Sequence, residues 1–295
     1  MFNQTYRTLF IALIVFLGFT VTSCVNDLDT TPIDNDVVTS ETVYETPEDY
    51  RQVLAKLYAG FATTGQQGPA GDADIQGIDE GFSSYLRQYF THQVNPTDLA
   101  VIGWGDEGLP SFNTMTWTAS NNFVMGMYSR IYYQIALANE FIRNAEGREE
   151  AVIQQYVAEA RFIRALNYWH ALDLFGGDIP FVTEEDEVGS QPPQATNAND
   201  LFDFIESELL AIESNLVAPG QNEYGRADRA VAWMLLSKLY LNAEVYIGQD
   251  RYDDVITYTD RIINDGAFTL HDKYHELFLA DNHLSDGIIF PITFD

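Results

Sequence analysis

The sequence predicts an all-α protein built from helical hairpins of the tetratricopeptide type, with one long, loop-rich insertion. Apolar residues recur at spacings of three and four through most of the chain after residue 121. Glycines and a Pro-Gly pair separate those helical segments. Residues 91–120 instead mix Asn, Pro, Gly, Asp and Trp without sustained periodicity. Long structured loops of this kind are usually functional, so this insertion is the first place to look for a site.

The first 23 residues are interpreted as a lipoprotein signal peptide. The apolar run from Leu9 to Val21 is too short for a membrane span, which needs about 20 residues. Small or hydroxylic residues precede Cys24, which is the only cysteine of the chain, so no intramolecular disulfide can form. Lipid attachment at Cys24 accounts for this cysteine; the alternative is an ordinary secretory signal with a stray cysteine. Residues 24–45 read as an acidic, turn-rich tether.

The composition excludes one large class of partners. The chain has 15 Lys and Arg against 44 Asp and Glu, which gives a net charge of −29. Nucleic acid requires basic patches, and an anionic membrane surface repels a chain of this charge. With 14% aromatic residues the chain is rich in the side chains that stack on sugars, although most of them are expected in the core.

The predicted helical domain covers residues 46–295 and opens with a helix over 47–61. Thr46 is a suitable N-cap, with proline following at the first helical position. Residues 62–80 are rich in Gly and Gln and are predicted as an irregular excursion, and 81–90 as a short helix.

After the insertion the chain becomes regularly helical. The predicted helices cover residues 121–145, 149–175, 198–216, 226–247 and 251–264, with a short one near 271–279. Residues 226–247 and 251–264 together resemble a tetratricopeptide hairpin of about 34 residues, in a weak repeat. Alanines at 160, 165, 232 and 243 are expected to let antiparallel helices approach closely. The final run, IIFPITFD, is β-like and lacks a partner, so we expect the sequence to be truncated.

Four segments carry a family resemblance. They are Cys24–Asp29 with Pro32, Asn95–Asp106 continuing to Thr116–Asn121, Glu159–Tyr168 continuing to Phe175–Pro180, and Gly225–Glu244. In this order they resemble the SusD/RagB family, the glycan-binding outer-membrane lipoproteins of Bacteroidetes nutrient-uptake systems. The chain departs from the family pattern at Pro96-Thr97 and Ala119-Ser120. Members of the family are usually longer, so the resemblance implies an N-terminal portion of a SusD-like fold.

The resemblance implies a binding protein that performs no chemistry and needs no cofactor. It implies a lipid-anchored, outward-facing protein of the outer membrane that captures oligosaccharide and passes it to a TonB-dependent, SusC-like transporter. Two alternatives stay open from the residues alone. One is a surface glycoside hydrolase, and the other is a tetratricopeptide-like scaffold that binds a protein.

A glycan site needs a flat aromatic face and groups that pair with hydroxyls. Trp104 is the best aromatic candidate because Gly103 and Gly105 leave its indole uncrowded; alternatively it anchors the loop to the helices. Arg87 could bind a ligand or tie the loop to an aspartate. Trp117 and Trp169, amid apolar neighbours, are assigned to the core. The candidate glycan-binding residues are Trp104, Asp106, Asp79, Asp74, Arg87, Tyr85 and Asn95, with Asp72 nearby.

Two possible metal sites are disfavoured. Asp72–Gly77 opens like a calcium loop, but its twelfth position is Ser83 instead of the bidentate Glu. His271 and His275 could share a helix face, yet they lack the H-E-x-x-H form of a zinc protease, so a polar helix surface is the better interpretation.

Two charged clusters receive structural interpretations. The run Glu184–Glu187 could be taken for hydrolytic carboxylates, but consecutive acids repel each other and are expected to stay solvated. Arg161 and Arg164 are expected to form salt bridges between helices, with Glu159 or Asp173 among their partners.

Overall fold

The computed structural model describes residues 43–65, 73–186, 189 and 192–294. The predicted leader, Cys24, most of the tether and Asp72 therefore lie outside the described residues. Within those residues the regular secondary structure is helical except for one short strand pair, which confirms the all-α, tetratricopeptide-like prediction. Among the same residues, no helix is both long and apolar enough to cross a membrane.

The helices follow one another along the chain, and one pair of short strands interrupts the series. The helices are α1 (Pro47–Ala59), α2 (Tyr85–Val94), α3 (Pro110–Thr114), α4 (Asn122–Asn144), α5 (Ala151–Phe175), α6 (Ala198–Ile212), α7 (Arg229–Leu241), α8 (Ala243–Ile247) and α9 (Tyr252–Asp265). Strands β1 (Ile179–Pro180) and β2 (Ala195–Thr196) pair antiparallel, with Ile179 opposite Thr196. Two short 3₁₀ turns follow, at Tyr274–Phe278 and Asn282–Leu284.

Helix α1 begins where the sequence predicts. Thr46 is extended and accepts a hydrogen bond from the Asp49 backbone N–H, with 3.4 Å between nitrogen and Oγ1. The Asp49 carboxylate in turn accepts from the Thr46 N–H at 2.7 Å. This reciprocal capping box satisfies donors that the first turn of a helix leaves free.

The core lies around α5, which packs against α4, α6 and α1. Helix α7 packs against α9, as the hairpin prediction requires. Ala160, Ala165, Ala232 and Ala243 are all fully buried, so small side chains do stand at the packed faces.

Two predictions near the end of the chain are wrong. The run after residue 287 forms no strand within the described residues; instead Phe290 packs on the helices, its ring centre 5.4 Å from that of Phe162. Apolar side chains of this run pack against the hydrophobic core, so the run is held by side-chain packing and not by a neighbouring strand. His271 precedes the 3₁₀ turn, so it shares no helix face with His275, and its Nε2 lies 2.9 Å from the Glu276 carboxylate.

The arginines of α5 do bridge helices, but to other partners than those predicted. Arg161 and Arg164 both donate to the Glu208 carboxylate of α6, with nitrogen–oxygen distances of 2.5 and 2.6 Å. Arg164 also pairs with Glu184, which corrects the expectation that the whole acidic run is solvated. Because Arg164 is almost fully buried, it needs two carboxylates to balance its desolvated charge.

Glu159 and Asp173, the predicted partners of these arginines, form contacts with other residues. Glu159 is fully buried and accepts from Arg226 at 2.7 Å. Asp173 accepts from Gln93 and from the Tyr246 hydroxyl. Both carboxylates therefore tie α5 to segments that are distant in sequence.

Candidate functional site

The insertion folds over a small apolar cluster of its own. Leu109, Phe112 and Phe123 are buried together, and the ring of Phe82 stacks on Phe123 with centres 4.6 Å apart. This cluster is separate from the main core. It gives the loop between α2 and α4 a solid base, which a long loop needs if it is to hold a binding group in place.

Two asparagines fix the path of the loop. Asn113 donates from Nδ2 to the Asn95 carbonyl at 3.0 Å. Asn121 caps α4 by accepting from the Phe123 N–H at 2.8 Å, and it also donates to the Gly108 carbonyl at 2.8 Å. Gly108 has φ of +88°, and a Cβ there would meet the Asn121 amide at 2.8 Å, so a larger residue would strain this contact.

Trp104 lies at the surface of this loop, and the residue is 62% exposed. A Cβ at Gly103 or Gly105 would meet nothing within 4 Å, so the chain on either side of the indole is open. The guanidinium carbon of Arg87 lies over the ring, 5.0 Å from its centre, in a cation–π arrangement. The structure therefore places Trp104 at the surface and not as a core anchor of the loop.

Arg87 is held by a backbone oxygen. Its Nη1 donates to the Gly81 carbonyl at 2.8 Å, whereas the sequence predicts an aspartate as its structural partner. The side chain starts from the exposed face of α2. It can thus fix the indole orientation and still present N–H donors at the surface.

The acidic candidates have three different surroundings. Asp106 is exposed, two residues after Trp104. Asp79 is exposed and accepts from the Gly81 N–H at 2.8 Å. Asp74 pairs with the buried guanidinium of Arg130 at 2.6 Å. Asp106 and Asp79 are therefore open to a ligand, whereas Asp74 serves to balance Arg130.

The pairing of Asp74 with Arg130 also bears on the calcium motif. The first ligand position, Asp72, lies outside the described residues, and the second is occupied by a cation of the protein itself. Among the residues that the structure describes, no group of three His, Cys, Asp or Glu side chains could hold a metal ion.

Tyr85 and Asn95 do not belong to the surface that carries Trp104. Tyr85 is 1% exposed, since the face of α2 that it shares with Gln88 and Thr91 turns towards the core. Its hydroxyl lies 2.7 Å from His170 Nδ1. Asn95 is 3% exposed below the loop. Burial removes both from ligand contact, and the spacing of three on α2 is the sequence signal that identifies the buried face.

His170 is the most perturbed histidine of the described residues. Burial lowers its pKa to about 3, and the charge of Lys238 acts in the same direction. The neutral ring lies against Tyr89, with centres 4.3 Å apart. It belongs to the packing between α2 and α5.

Trp117 corrects a further prediction. It is 43% exposed, and one face of its ring stacks on Phe112 at 5.5 Å, so it covers the small apolar cluster from outside. The prediction for Trp169 is confirmed, because that side chain is 6% exposed within α5. Both tryptophans have apolar neighbours in sequence, so this pattern does not distinguish Trp117, which covers a cluster from outside, from Trp169, which is buried.

Comparisons with known proteins point to one family. The chain is 37% identical over 289 residues to the starch-binding protein SusD of Bacteroides thetaiotaomicron, a match that covers 96% of this chain and 50% of that protein. It is 25% identical over 288 residues to the SusD-like protein P25 of Formosa agariphila, covering 95% of this chain and 50% of the relative. The chain thus spans about half the length of these relatives. No family model matches the chain.

Solved structures show the same fold. The surface glycan-binding protein A of Bacteroides fluxus superposes with a TM-score of 0.64 at 23% identity, over 83% of this chain and 50% of that chain. A SusD superfamily protein of Bacteroides vulgatus gives a TM-score of 0.68 at 16% identity, over 84% of this chain and 50% of that chain.

Proposed function

The chain belongs to the SusD/RagB family, and we propose that it is a cell-surface glycan-binding lipoprotein that captures oligosaccharide and passes it to a TonB-dependent outer-membrane transporter. Relatives named as starch-binding and surface glycan-binding proteins support the ligand class. The predicted leader, which ends immediately before Cys24, supports the lipid anchor.

The exposed indole of Trp104 is the observation that carries the ligand proposal. Arg87 lies over one face of the ring, and the exposed remainder offers a flat apolar surface to the C–H face of a pyranose. The carboxylates of Asp79 and Asp106, and the N–H groups of Arg87 other than the one bound to Gly81, are the kind of groups that pair with sugar hydroxyls. An aromatic platform beside such groups is the chemistry that a glycan site requires.

The charge of the chain favours a neutral glycan. A net charge of −29 repels uronic-acid or sulfated polymers at the distances over which charges act in physiological salt, about 8 Å. Hydroxyl groups carry no charge and are not affected.

Hydrolysis is the competing function, and the described carboxylates give it little support. A glycoside hydrolase needs two carboxyl groups at a fixed separation across the scissile bond. Among the loop carboxylates, Asp74 is already paired with Arg130 and is not free to serve as one of these two groups. The relatives are named as binding proteins, which also favours binding.

One experiment separates these functions. Isothermal calorimetry with neutral oligosaccharides should show binding by the wild-type protein without release of new reducing ends. Trp104→Ala should weaken that binding several-fold or more, because stacking on an aromatic ring contributes roughly 0.5–1.5 kcal/mol. The matched control is Tyr252→Ala, since Tyr252 is a half-exposed aromatic residue on α9. New reducing ends, or equal binding by both variants, would contradict the proposal.

A further inference from the structure

A groove of about 860 Å³ adjoins Trp104 at Arg87. Arg87 lines this groove, and its guanidinium carbon also lies 5.0 Å from the centre of the Trp104 ring. The other walls are formed by α1 and the residues that follow it, by the residues just before α2, by the turn at residues 223–226, and by residues 291–294. The volume is in the range of about 300–1,000 Å³ that ligand sites occupy.

A tight turn places Tyr224 in the lining of the groove, where the residue is 52% exposed. The Arg226 N–H donates to the Glu223 carbonyl at 3.0 Å and closes the turn. Gly225 has φ of +86°, and its backbone approaches Thr293 so closely that a Cβ would meet that side chain at 3.2 Å. A side chain at this position would strain the turn, so glycine is required to hold Tyr224 at its tip.

The turn is attached to the helices through a buried ion pair between Arg226 and Glu159. Glu159, fully buried on α5, accepts from Arg226 through both of its oxygens, at 2.7 and 3.0 Å. The Tyr58 hydroxyl donates to the same carboxylate at 2.7 Å and accepts from the Ala227 N–H at 2.9 Å. A saturated buried carboxylate of this kind fixes the turn to α5 and α1. The wall that carries Tyr224 is therefore rigid before any ligand binds, which lowers the entropic cost of binding.

Opposite charges alternate along the rim of the groove. Glu223 lies between Arg51 and Arg226, with distances of 3.1 and 3.2 Å between charged atoms. The Arg51 and Glu223 side chains are 49% and 58% exposed, so both keep donors and acceptors that face solvent. Paired charges cancel at a distance but still form hydrogen bonds at close range. Such a rim suits the hydroxyl groups of a neutral ligand.

We propose that this groove is an extended subsite for neutral oligosaccharides, in which Tyr224 is a second stacking platform for sugar residues beyond the one held at Trp104. The inference rests on the proposed glycan-binding function and adds the length of ligand that the site selects. Arg87 joins the two platforms, since it contacts the Trp104 ring and lines the groove. A short oligosaccharide uses the Trp104 platform alone, and a longer one reaches both.

The test compares maltotriose with maltoheptaose by calorimetry, using α-glucans because one relative is a starch-binding protein. A longer oligosaccharide binds more tightly on statistical grounds alone, because it can occupy the site in more registers. The ratio of the two affinities in the wild-type protein is therefore not sufficient evidence for a second platform. Tyr224→Ala should lose roughly three- to tenfold in affinity for maltoheptaose and nothing for maltotriose. Trp104→Ala should weaken both, and Tyr252→Ala on α9 should weaken neither. Thermal unfolding of each variant verifies the fold.

The outcomes separate the two proposals. If Trp104→Ala weakens both sugars while Tyr224→Ala keeps the wild-type ratio between them, the extended subsite is wrong and the proposed function stands. If the wild-type protein binds neither these sugars nor matched pairs of β-glucan and mannan oligosaccharides, both proposals are wrong. A selective loss for maltoheptaose in Tyr224→Ala supports the subsite.

Discussion

Trp104 and Trp169 carry the same side chain in opposite surroundings. Trp104 is 62% exposed between two open glycines, and its single ring contact is the guanidinium of Arg87 within the described residues. Trp169 is 6% exposed in the middle of α5 and lies against His170, with ring centres 5.0 Å apart. Burial, and not residue type, decides what each contributes to stability.

These surroundings predict opposite results for two alanine variants. Trp104→Ala should leave the free energy of unfolding within about 0.5 kcal/mol of wild type, because an exposed side chain gains little from packing. Trp169→Ala should lower it by roughly 3–5 kcal/mol, through lost burial and the cavity left behind. Urea unfolding monitored by circular dichroism measures both. A large loss of unfolding free energy in Trp104→Ala would mean that this residue stabilises the fold by packing.

His170 makes the stability of the fold depend on pH. Burial lowers its pKa from 6.5 to about 3, so below pH 6.5 the unfolded chain binds a proton that the folded chain does not. The free energy of unfolding should therefore fall as the pH decreases from 6.5 to about 5, by at most about 1.4 kcal/mol per pH unit from this group. Burial lowers the pKa of His92 as well, which adds a dependence of the same sign.

Urea titrations at several pH values above the carboxylate range test this assignment. His170→Gln removes the titrating ring and keeps a polar group for the Tyr85 hydroxyl, so its stability should vary less with pH than that of wild type. His275→Gln is the control, because that side chain is 73% exposed. An unchanged slope in His170→Gln would mean that another group titrates.

At single residues, sequence reasoning works where local pattern reflects the surroundings. The flanking glycines of Trp104 marked an open loop, and the structure exposes this residue. Tyr85 and Asn95 were misplaced because their composition suits a glycan site while their burial depends on how α2 and the loop pack against other elements. Trp117 was misplaced for the inverse reason. Its apolar neighbours belong to a satellite cluster that this ring only covers.

Among the elements, α5 joins the others through buried charge. Arg164 donates to Glu208 at 2.6 Å and to the Asn139 side chain at 2.8 Å, and it also pairs with Glu184. Burial raises the pKa of Glu208, but hydrogen bonds from Arg161 and the charge of Arg164 outweigh it, so that pKa lies below its usual value. The network links α4, α5, α6 and the loop after β1.

Breaking this network should be costly. Arg164→Met leaves two carboxylates without their shared cation, and the free energy of unfolding should fall by roughly 3–5 kcal/mol. Arg261→Met is the matched control, since its ion pair with Glu213 lies at the surface and contributes about 1 kcal/mol or less. Chemical denaturation of both variants decides the matter. Equal small losses would show that the Arg164 network is not important for stability.

Helices were predictable because their signals are local, whereas the partners of charged groups were not. The spacing of apolar residues and the Thr46 cap place α1, α4, α5, α6 and α9 within a few residues of their observed bounds. The single helix predicted over 226–247 is instead divided into α7 and α8 at Asn242. The final apolar run was misread because a strand needs a neighbour, and only the tertiary fold shows that Phe290 packs on α1 and α5 instead. Likewise, Glu208 replaced the predicted partners of Arg161 and Arg164 because α6 lies beside α5.

For the whole molecule, the net charge and the predicted leader both give information about the location of the protein. A net charge of −29 argues for an environment without polyanionic partners. The Leu9–Val21 run and Cys24 have the form of a lipoprotein leader, and they lie outside the described residues. A lipid on Cys24 would attach the proposed glycan-binding protein to the membrane.

The lipid anchor makes a prediction for the whole protein in the cell. Acyl chains contribute roughly 0.8 kcal/mol for each CH₂ that they bury, so a lipid on Cys24 would hold the protein at the membrane. Cys24→Ser removes the only thiol to which lipid can be attached, so the protein should move from the membrane fraction to the soluble fraction. Ser23→Ala, which keeps the cysteine, should remain membrane-bound and incorporate a palmitate analogue. A Cys24→Ser protein that still sediments with the outer membrane would require another means of attachment, such as direct binding to a transporter, and the same fractionation in a strain without that transporter would reveal it.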